Sequence, residues 1–226
     1  GDGVRPGGFS QPTIHVEGLS SETVSQTVAP RGALGAEHPA APADADAAAF
    51  DARLRRTAES GGYLVLMATP RHLPRIEAAL RARYDATSFS LEAELLREMK
   101  EAARQAGAGW TVVLEADAAS PGTADWTNLR SLVGLALPKV EERLDNAPSP
   151  VLLTWPGLLV RYDRLDLLDR LRDRHTRAGA SGAAWLLVAA DEQSELPVLD
   201  GRPLPVLSPA QYARVPHAWL EATEGM

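Results

Sequence analysis

The stretch from residue 150 to residue 174 places a short apolar run, a turn and an amphipathic helical pattern in succession. Residues 151–153 read VLL, an unbroken apolar run typical of strands that are buried on both faces. A Trp-Pro-Gly turn follows, and leucines then recur at helical spacing from Leu165 to Leu171. Strand, turn and helix make one βα unit, and folds assembled from such units are strongly restricted in architecture.

Three further apolar runs repeat this pattern, and helical patterns separate them. They read YLVLMAT at 63–69, TVVLE at 111–115 and AAWLLVAAD at 183–191. The sequence also allows a short strand that ends at Ser90, and an edge strand at 204–207. We therefore predict an α/β fold with a mainly parallel sheet of four to five strands and helices on both faces. This is a three-layer sandwich of the RecA/AAA-like or Rossmann-like kind. The strand order does not follow from the sequence.

The amino-terminal part differs in composition from the rest of the chain. Residues 1–48 are dominated by Gly, Pro, Ala, Ser and Asp and contain few large apolar side chains. Such a segment buries too little surface to offset its ordering entropy, so we predict a flexible linker there. Residues 49–226 are predicted to form a single α/β domain. A helix from Ala48 to Glu59 is expected to lead into the first strand.

Several classes of protein are excluded by composition. The chain has no cysteine, so disulfides and thiol catalysis are excluded, and a cytoplasmic location is expected. No run of 18 apolar residues occurs, so no membrane span is predicted. The chain has 23 basic and 30 acidic residues, a net charge of −7, which argues against sequence-independent binding to nucleic acid.

One regional exception to the acidic balance lies between residues 51 and 85, where the sequence has seven arginines and four acidic residues. The arginines are at positions 53, 55, 56, 71, 75, 81 and 83. They suit either an ordinary solvated face or contact with an acidic partner or nucleic acid. Elsewhere, we predict that Trp155 lies in or beside the core. If it is exposed instead, it is a candidate anchor for a partner. Arg161 is a candidate for reaching a phosphate or a partner, unless it pairs with Asp163 or Asp166.

Ligands of open parallel sheets bind beyond the carboxyl ends of the strands. Thr69, Asp117, Thr154 and Asp191 follow the predicted strands, so they are the candidate nucleotide-binding residues. The run VVLEAD resembles the strand-then-carboxylate arrangement that holds magnesium in P-loop NTPases. However, the chain has no G-x-x-x-x-G-K-[ST], no G-x-G-x-x-G, no G-x-S-x-G and no kinase signature. The five histidines are scattered singly. We therefore predict no catalytic residue, no metal site and no cofactor.

Three segments together resemble a known family. They are WTVVLEADAASPGTADWTNL (110–129), PVLLTWPGLLVRYDRLDLLDRLRD (150–173) and LPVLDGRPLPVLSPAQYARVPHAWLE (196–221). They resemble the carboxyl-terminal region of the PglW family, the serine/threonine kinases of phage growth limitation, a type of BREX antiphage system. The resemblance would cover residues 60–222. It implies a bacterial cytoplasmic defence protein that works beside a DNA methyltransferase, an ATPase and a phosphatase-like protein, and it carries over no catalytic residue.

Two functional hypotheses follow. The first is a non-catalytic assembly or regulatory domain of a multidomain phage-defence kinase, whose partners are other defence proteins or other domains of the parent chain. The alternative is a degenerate NTPase-like domain that binds a nucleotide at the carboxyl edge of the sheet. Nucleic-acid binding through the arginines of residues 53–83 is the weakest hypothesis, because the overall charge is negative.

Overall fold

The computed structural model describes residues 42–177, 179–180 and 182–222. The strands in this part of the chain are β1 (Gly62–Ala68), β2 (Thr87–Ser90), β3 (Val151–Thr154), β4 (Ala183–Ala189), β5 (Val198–Leu199), β6 (Arg202–Pro203) and β7 (Tyr212–Arg214). Five of them form one sheet in the order β2-β3-β4-β1-β7, and every pairing in it is parallel. β5 and β6 form a separate antiparallel pair. The predicted fold class, a mainly parallel α/β sheet, is confirmed.

Helices connect and cover these strands. They are α1 (Pro42–Ser60), α2 (Leu73–Tyr84), α3 (Leu91–Gln105), α4 (Trp110–Ala118), α5 (Ala124–Asp145), α6 (Gly157–Arg161), α7 (Asp166–Thr176) and α8 (His217–Glu221). The Ser90 side chain accepts a hydrogen bond from the Ala93 amide at 3.2 Å and caps α3, as its position predicts. None of the helices in the described residues combines the length and apolar content needed to cross a membrane.

The sheet separates two hydrophobic layers, because successive side chains of a strand point to opposite faces. On β1, Tyr63, Val65 and Met67 pack with α3, α5 and α7. The alternate residues Leu64 and Leu66 pack with α1, α2 and α8. Burial of both faces explains why β1, β3 and β4 read as continuous apolar runs in the sequence.

The first helix begins earlier than predicted. α1 starts at Pro42, six residues before Ala48. Its buried residues are Phe50 and Leu54, and the earlier turns are largely exposed, so the apolar spacing used for the prediction covers only the carboxyl-terminal half. Most of the predicted linker, residues 1–41, lies outside the described residues.

The strand predicted at 111–115 is wrong. Residues 110–118 form α4, in which Val113 and Ala116 are buried at helical spacing while Val112 and Leu114 are 59% and 54% exposed. A β-branched run favours a strand only weakly, and here packing against α3 and α5 overrides that preference. The edge position of the sheet next to β3 belongs instead to β2, the short strand that ends at Ser90.

The edge strand predicted at 204–207 is also wrong. Leu204 is buried against the layer of α3, α5 and α7, and its amide bonds to the Pro197 carbonyl at 2.9 Å. The edge strand is β7, which lies a few residues later. It pairs in parallel with β1, with Tyr212 opposite Val65 and Arg214 opposite Met67. Pro205 follows Leu204, and because proline has no amide hydrogen it cannot donate to a ladder there.

Candidate functional site

A cleft of about 680 Å³ opens at the carboxyl ends of β1 and β7. α1 and α8 line it from two sides, and the turn at Pro70–His72 with the start of α2 lines a third. Its apolar lining consists of Ala49, Phe50, Ala68, Ile76, Ala213, Val215, Pro216 and Leu220. Ligand sites are concave, mostly apolar and of this size, and in parallel sheets they lie beyond the carboxyl ends of strands.

The charged lining of the cleft is basic. Four arginines, two histidines and two carboxylates contribute to it; they are Arg53, Arg56, Arg71, Arg214, His72, His217, Asp46 and Glu192. With neutral histidines, four positive charges therefore face two negative ones, in a chain whose net charge is −7. The cleft is therefore positively charged although the whole chain is negatively charged, and it suits an anionic ligand.

Two of these arginines are held in place by backbone carbonyls. Arg53 donates to the Pro209 carbonyl at 2.9 Å, and Arg214 donates to the carbonyls of Asp191 and Ser194 at 2.7 and 2.8 Å. Burial, and secondarily the charge of Arg56, lowers the pKa of Arg53. These hydrogen bonds therefore hold the two guanidinium groups in fixed positions in the cleft lining.

The other two arginines are much less engaged. Arg71 lies 3.8 Å from Glu192, and both side chains are more than 70% exposed, so this ion pair is weak. Within the described part of the chain, Arg56 forms no hydrogen bond or ion pair. Both groups are therefore available to a ligand.

The fold brings together two histidines that are far apart in the sequence. The rings of His72 and His217 lie 5.8 Å apart between centroids, and His72 Nδ1 is 3.0 Å from Thr69 Oγ1. Desolvation, and then the nearby charges of Arg71 and His217, lower the pKa of His72. The sequence could not show that these two histidines meet, because they are far apart in it.

Among the described residues, no group of three or more His, Asp or Glu side chains is arranged to hold a metal.

The four predicted nucleotide-binding residues do not form one site. Thr69 and Asp191 follow β1 and β4, and Thr154 is the last residue of β3. These strands are neighbours in the sheet, so the three residues share an edge. Of them, Thr69 lines the cleft, whereas Thr154 is 4% exposed and Asp191 lies outside the lining. Asp117 belongs to α4 and follows no strand, so the strand-then-carboxylate arrangement that VVLEAD resembles is not formed.

Asp117 and Arg161 instead connect three helices, α4, α5 and α6. The Asp117 carboxylate accepts hydrogen bonds from Arg161 Nε at 2.8 Å and from the Tyr162 hydroxyl at 3.0 Å. The Arg161 guanidinium also lies over the Trp126 ring, 5.7 Å from its centroid. The predicted pairing of Arg161 with Asp163 or Asp166 is therefore wrong. Its partner is 44 positions away, on a helix that the sequence pattern presented as a strand.

Trp155 follows β3 directly and is 58% exposed, unlike Trp185 and Trp219, which are buried. The prediction that Trp155 lies in or beside the core is therefore wrong. The Trp155 backbone has a φ of 53°, in the left-handed region that bulky residues rarely adopt. The turn made with Pro156 and Gly157 directs the chain into α6 and leaves the indole outside the core.

The chain is 32% identical over 119 residues to the "Probable kinase PglW" of Streptomyces coelicolor, an alignment that covers 49% of this chain and 8% of that protein. The chain resembles part of PglW. The resemblance to PglW predicted from the sequence is thus confirmed, and the aligned part of the chain spans less than a tenth of the length of that PglW protein. No family model matches the chain, and no solved structure matches it.

The three segments that resemble PglW in sequence correspond to particular helices and strands of the fold. Segment 110–129 contains α4, and segment 150–173 contains β3, α6 and most of α7. The Asp117–Arg161 pair joins these two segments. Segment 196–221 contains β7 and α8, and it contributes Arg214 and His217 to the cleft.

Proposed function

We propose that this chain is a non-catalytic assembly or regulatory domain of a multidomain phage-defence kinase of the PglW type, located in the cytoplasm. The similarity to PglW supports membership of such a kinase. The 226 residues contain no kinase signature, so the kinase activity would reside in other parts of the parent protein. This function requires no cofactor in the chain itself.

The observation that carries the assembly role is the exposure of Trp155. A tryptophan that is 58% exposed, beside a strand end and in a left-handed backbone conformation, has a large apolar surface available to a partner. Tryptophan is enriched among the residues that dominate binding energy at interfaces. The partner is another domain of the parent kinase or another phage-defence protein, and nucleic acid is not expected to bind.

Arg161 contributes to this surface indirectly. Because its guanidinium is engaged by Asp117 and stacked on Trp126, it fixes α6, the helix that follows Trp155. The hydrogen bond with Asp117, against a smaller effect of desolvation, raises the pKa of Arg161. We therefore treat Arg161 as a positioning residue for the partner surface.

Replacing Trp155 with alanine is expected to weaken partner binding about thirtyfold or more, because hot-spot truncations cost at least about 2 kcal/mol. The measurement is a titration of this chain against the purified remainder of its parent kinase and against each associated defence protein. Leu207→Ala is the matched control, since Leu207 is 70% exposed and lies outside segment 150–173. Equal affinity of the Trp155→Ala chain and the wild type for every partner would exclude Trp155 as the anchor.

The alternative function is nucleotide binding at the carboxyl edge of the sheet. The cleft supports it, because Thr69 lines a basic cavity at that edge. Magnesium-ATP at about 100-fold above its dissociation constant should add about 2.7 kcal/mol of stability. For a domain of this size the melting temperature should rise by about 5–10 °C. An unchanged melting temperature at millimolar nucleotide would reject tight binding by this chain.

A further inference from the structure

The cleft at the ends of β1 and β7 combines an apolar surface with a basic one. Its inner lining is apolar and includes Phe50, Ile76 and Val215. Arginines from α1 and from the turn after β1 also line it, and two of them, Arg56 and Arg71, have weak partners or none among the described residues. A flat apolar ring fits the first surface and a phosphate fits the second.

We propose that this cleft binds a nucleotide through its phosphate, with Arg56 and Arg71 as the phosphate ligands, the base against the apolar lining, and no divalent metal. The proposal rests on the nucleotide-binding alternative and specifies its site and its chemistry. It moves the site away from Asp117, Thr154 and Asp191, which lie outside the cleft lining.

The charges favour recognition by arginine over recognition through magnesium. Four guanidinium groups and only two carboxylates line the cleft, and one of those carboxylates, Glu192, is 75% exposed beside Arg71. A magnesium ion bound with a nucleotide needs carboxylate or carbonyl oxygens and would be repelled by this set of cations. Guanidinium groups can instead neutralise phosphate directly and donate paired hydrogen bonds to it.

The shape favours a small molecule over a peptide. α1, α8 and the turn at Pro70–His72 line the cleft from three sides, and its volume of about 680 Å³ is typical of sites for small ligands. Arg53 and Arg214 are already oriented by carbonyl groups, so part of the positive lining is ordered before a ligand arrives.

The test is calorimetric titration of the full 226-residue chain with AMP in EDTA. AMP should bind, and the double variant Arg56→Gln/Arg71→Gln should bind it at least about tenfold more weakly, because two charge-assisted contacts are lost. Both side chains are exposed, so the double variant should keep the wild-type melting temperature. Arg81→Gln is the control: it removes one positive charge from an exposed position on α2 outside the cleft and should leave the affinity unchanged. Adenosine, which lacks the phosphate, should bind at least tenfold more weakly than AMP.

The other outcomes separate this proposal from the broader one. If ATP binds only with magnesium and Asp191→Asn abolishes binding while the arginine variant does not, nucleotide binding stands and the proposed site is wrong. If no nucleotide binds at millimolar concentration, both are wrong. If a phosphoserine peptide binds in place of AMP, the cleft recognises phosphate but the assignment to nucleotides is overturned.

Discussion

Replacing Trp185 with alanine is expected to destabilise the protein by about 3–5 kcal/mol, the range for removing a large aromatic side chain from a core. Trp185 is fully buried in β4, the middle strand of the sheet, between Leu64 of β1 and Leu152 of β3. Its ring meets the Tyr84 ring edge-to-face at 5.3 Å. The substitution therefore removes contacts to two strands and to α2 at once.

The indole of Trp185 also makes one directional contact. Its N–H donates to the Thr57 hydroxyl at 2.9 Å, which ties β4 to α1. Trp185→Phe keeps most of the ring and loses this hydrogen bond, so we expect a smaller loss of about 1–2 kcal/mol. Urea unfolding followed by far-UV circular dichroism measures both values. If the alanine variant were no less stable than the phenylalanine variant, ring packing would not be the main contribution of Trp185.

The second large effect is expected at Asp51, a residue of α1 that the sequence did not single out. Its Oδ1 accepts hydrogen bonds from the Tyr84 hydroxyl at 2.6 Å and from the indole N–H of Trp219 at 3.0 Å. Arg55 lies 2.8 Å from the other carboxylate oxygen. Since Trp219 is 2% exposed, Asp51→Ala leaves its N–H without an acceptor, and we expect a loss of about 2–4 kcal/mol.

The same contacts predict a dependence on pH. Burial alone would raise the pKa of Asp51, but hydrogen bonds from Tyr84 and Trp219 and the charges of Arg55 and Arg83 outweigh it and lower the pKa below 3.8. A carboxyl whose pKa is lower in the folded state stabilises the protein above its unfolded value, and this stabilisation is lost as the pH falls through the folded pKa.

Asp51→Asn separates the charge from the acceptor, because the amide oxygen can still accept hydrogen bonds. We expect the stability difference between wild type and Asp51→Asn to be largest above about pH 5 and to shrink below pH 4. Chemical unfolding at a series of pH values measures it. A difference that stayed constant from pH 7 to pH 3 would contradict a lowered pKa of Asp51.

Residues with strong local patterns were predicted well. The runs at 63–69, 151–153 and 183–191 are continuous and apolar, and they became β1, β3 and β4. The local signal sufficed because a parallel strand covered on both faces needs apolar side chains at successive positions. Residues 111–115 satisfied the same pattern and became a helix, since a run of five residues does not by itself distinguish the two structures.

The candidate sites were predicted only in part. Thr69 lies in the cleft, and three of its arginines, Arg53, Arg56 and Arg71, belong to the basic stretch noted in the sequence. The fold does not gather that stretch into one stripe, because Arg55 and Arg83 lie beside Asp51. Arg214 and His217 carried no signal of their own, since their role in the cleft depends on β7 pairing with β1.

The sequence by itself determined the layered α/β class, because alternating apolar runs and amphipathic helices leave a chain few other ways to bury them. The tertiary structure decided the strand order, the exposure of Trp155, the partner of Arg161 and the position of the cleft. Each of these depends on contacts between distant residues, such as Trp219 with Asp51, 168 positions apart. Local periodicity determines which faces are apolar. Only the packing of those faces determines which polar and charged side chains meet.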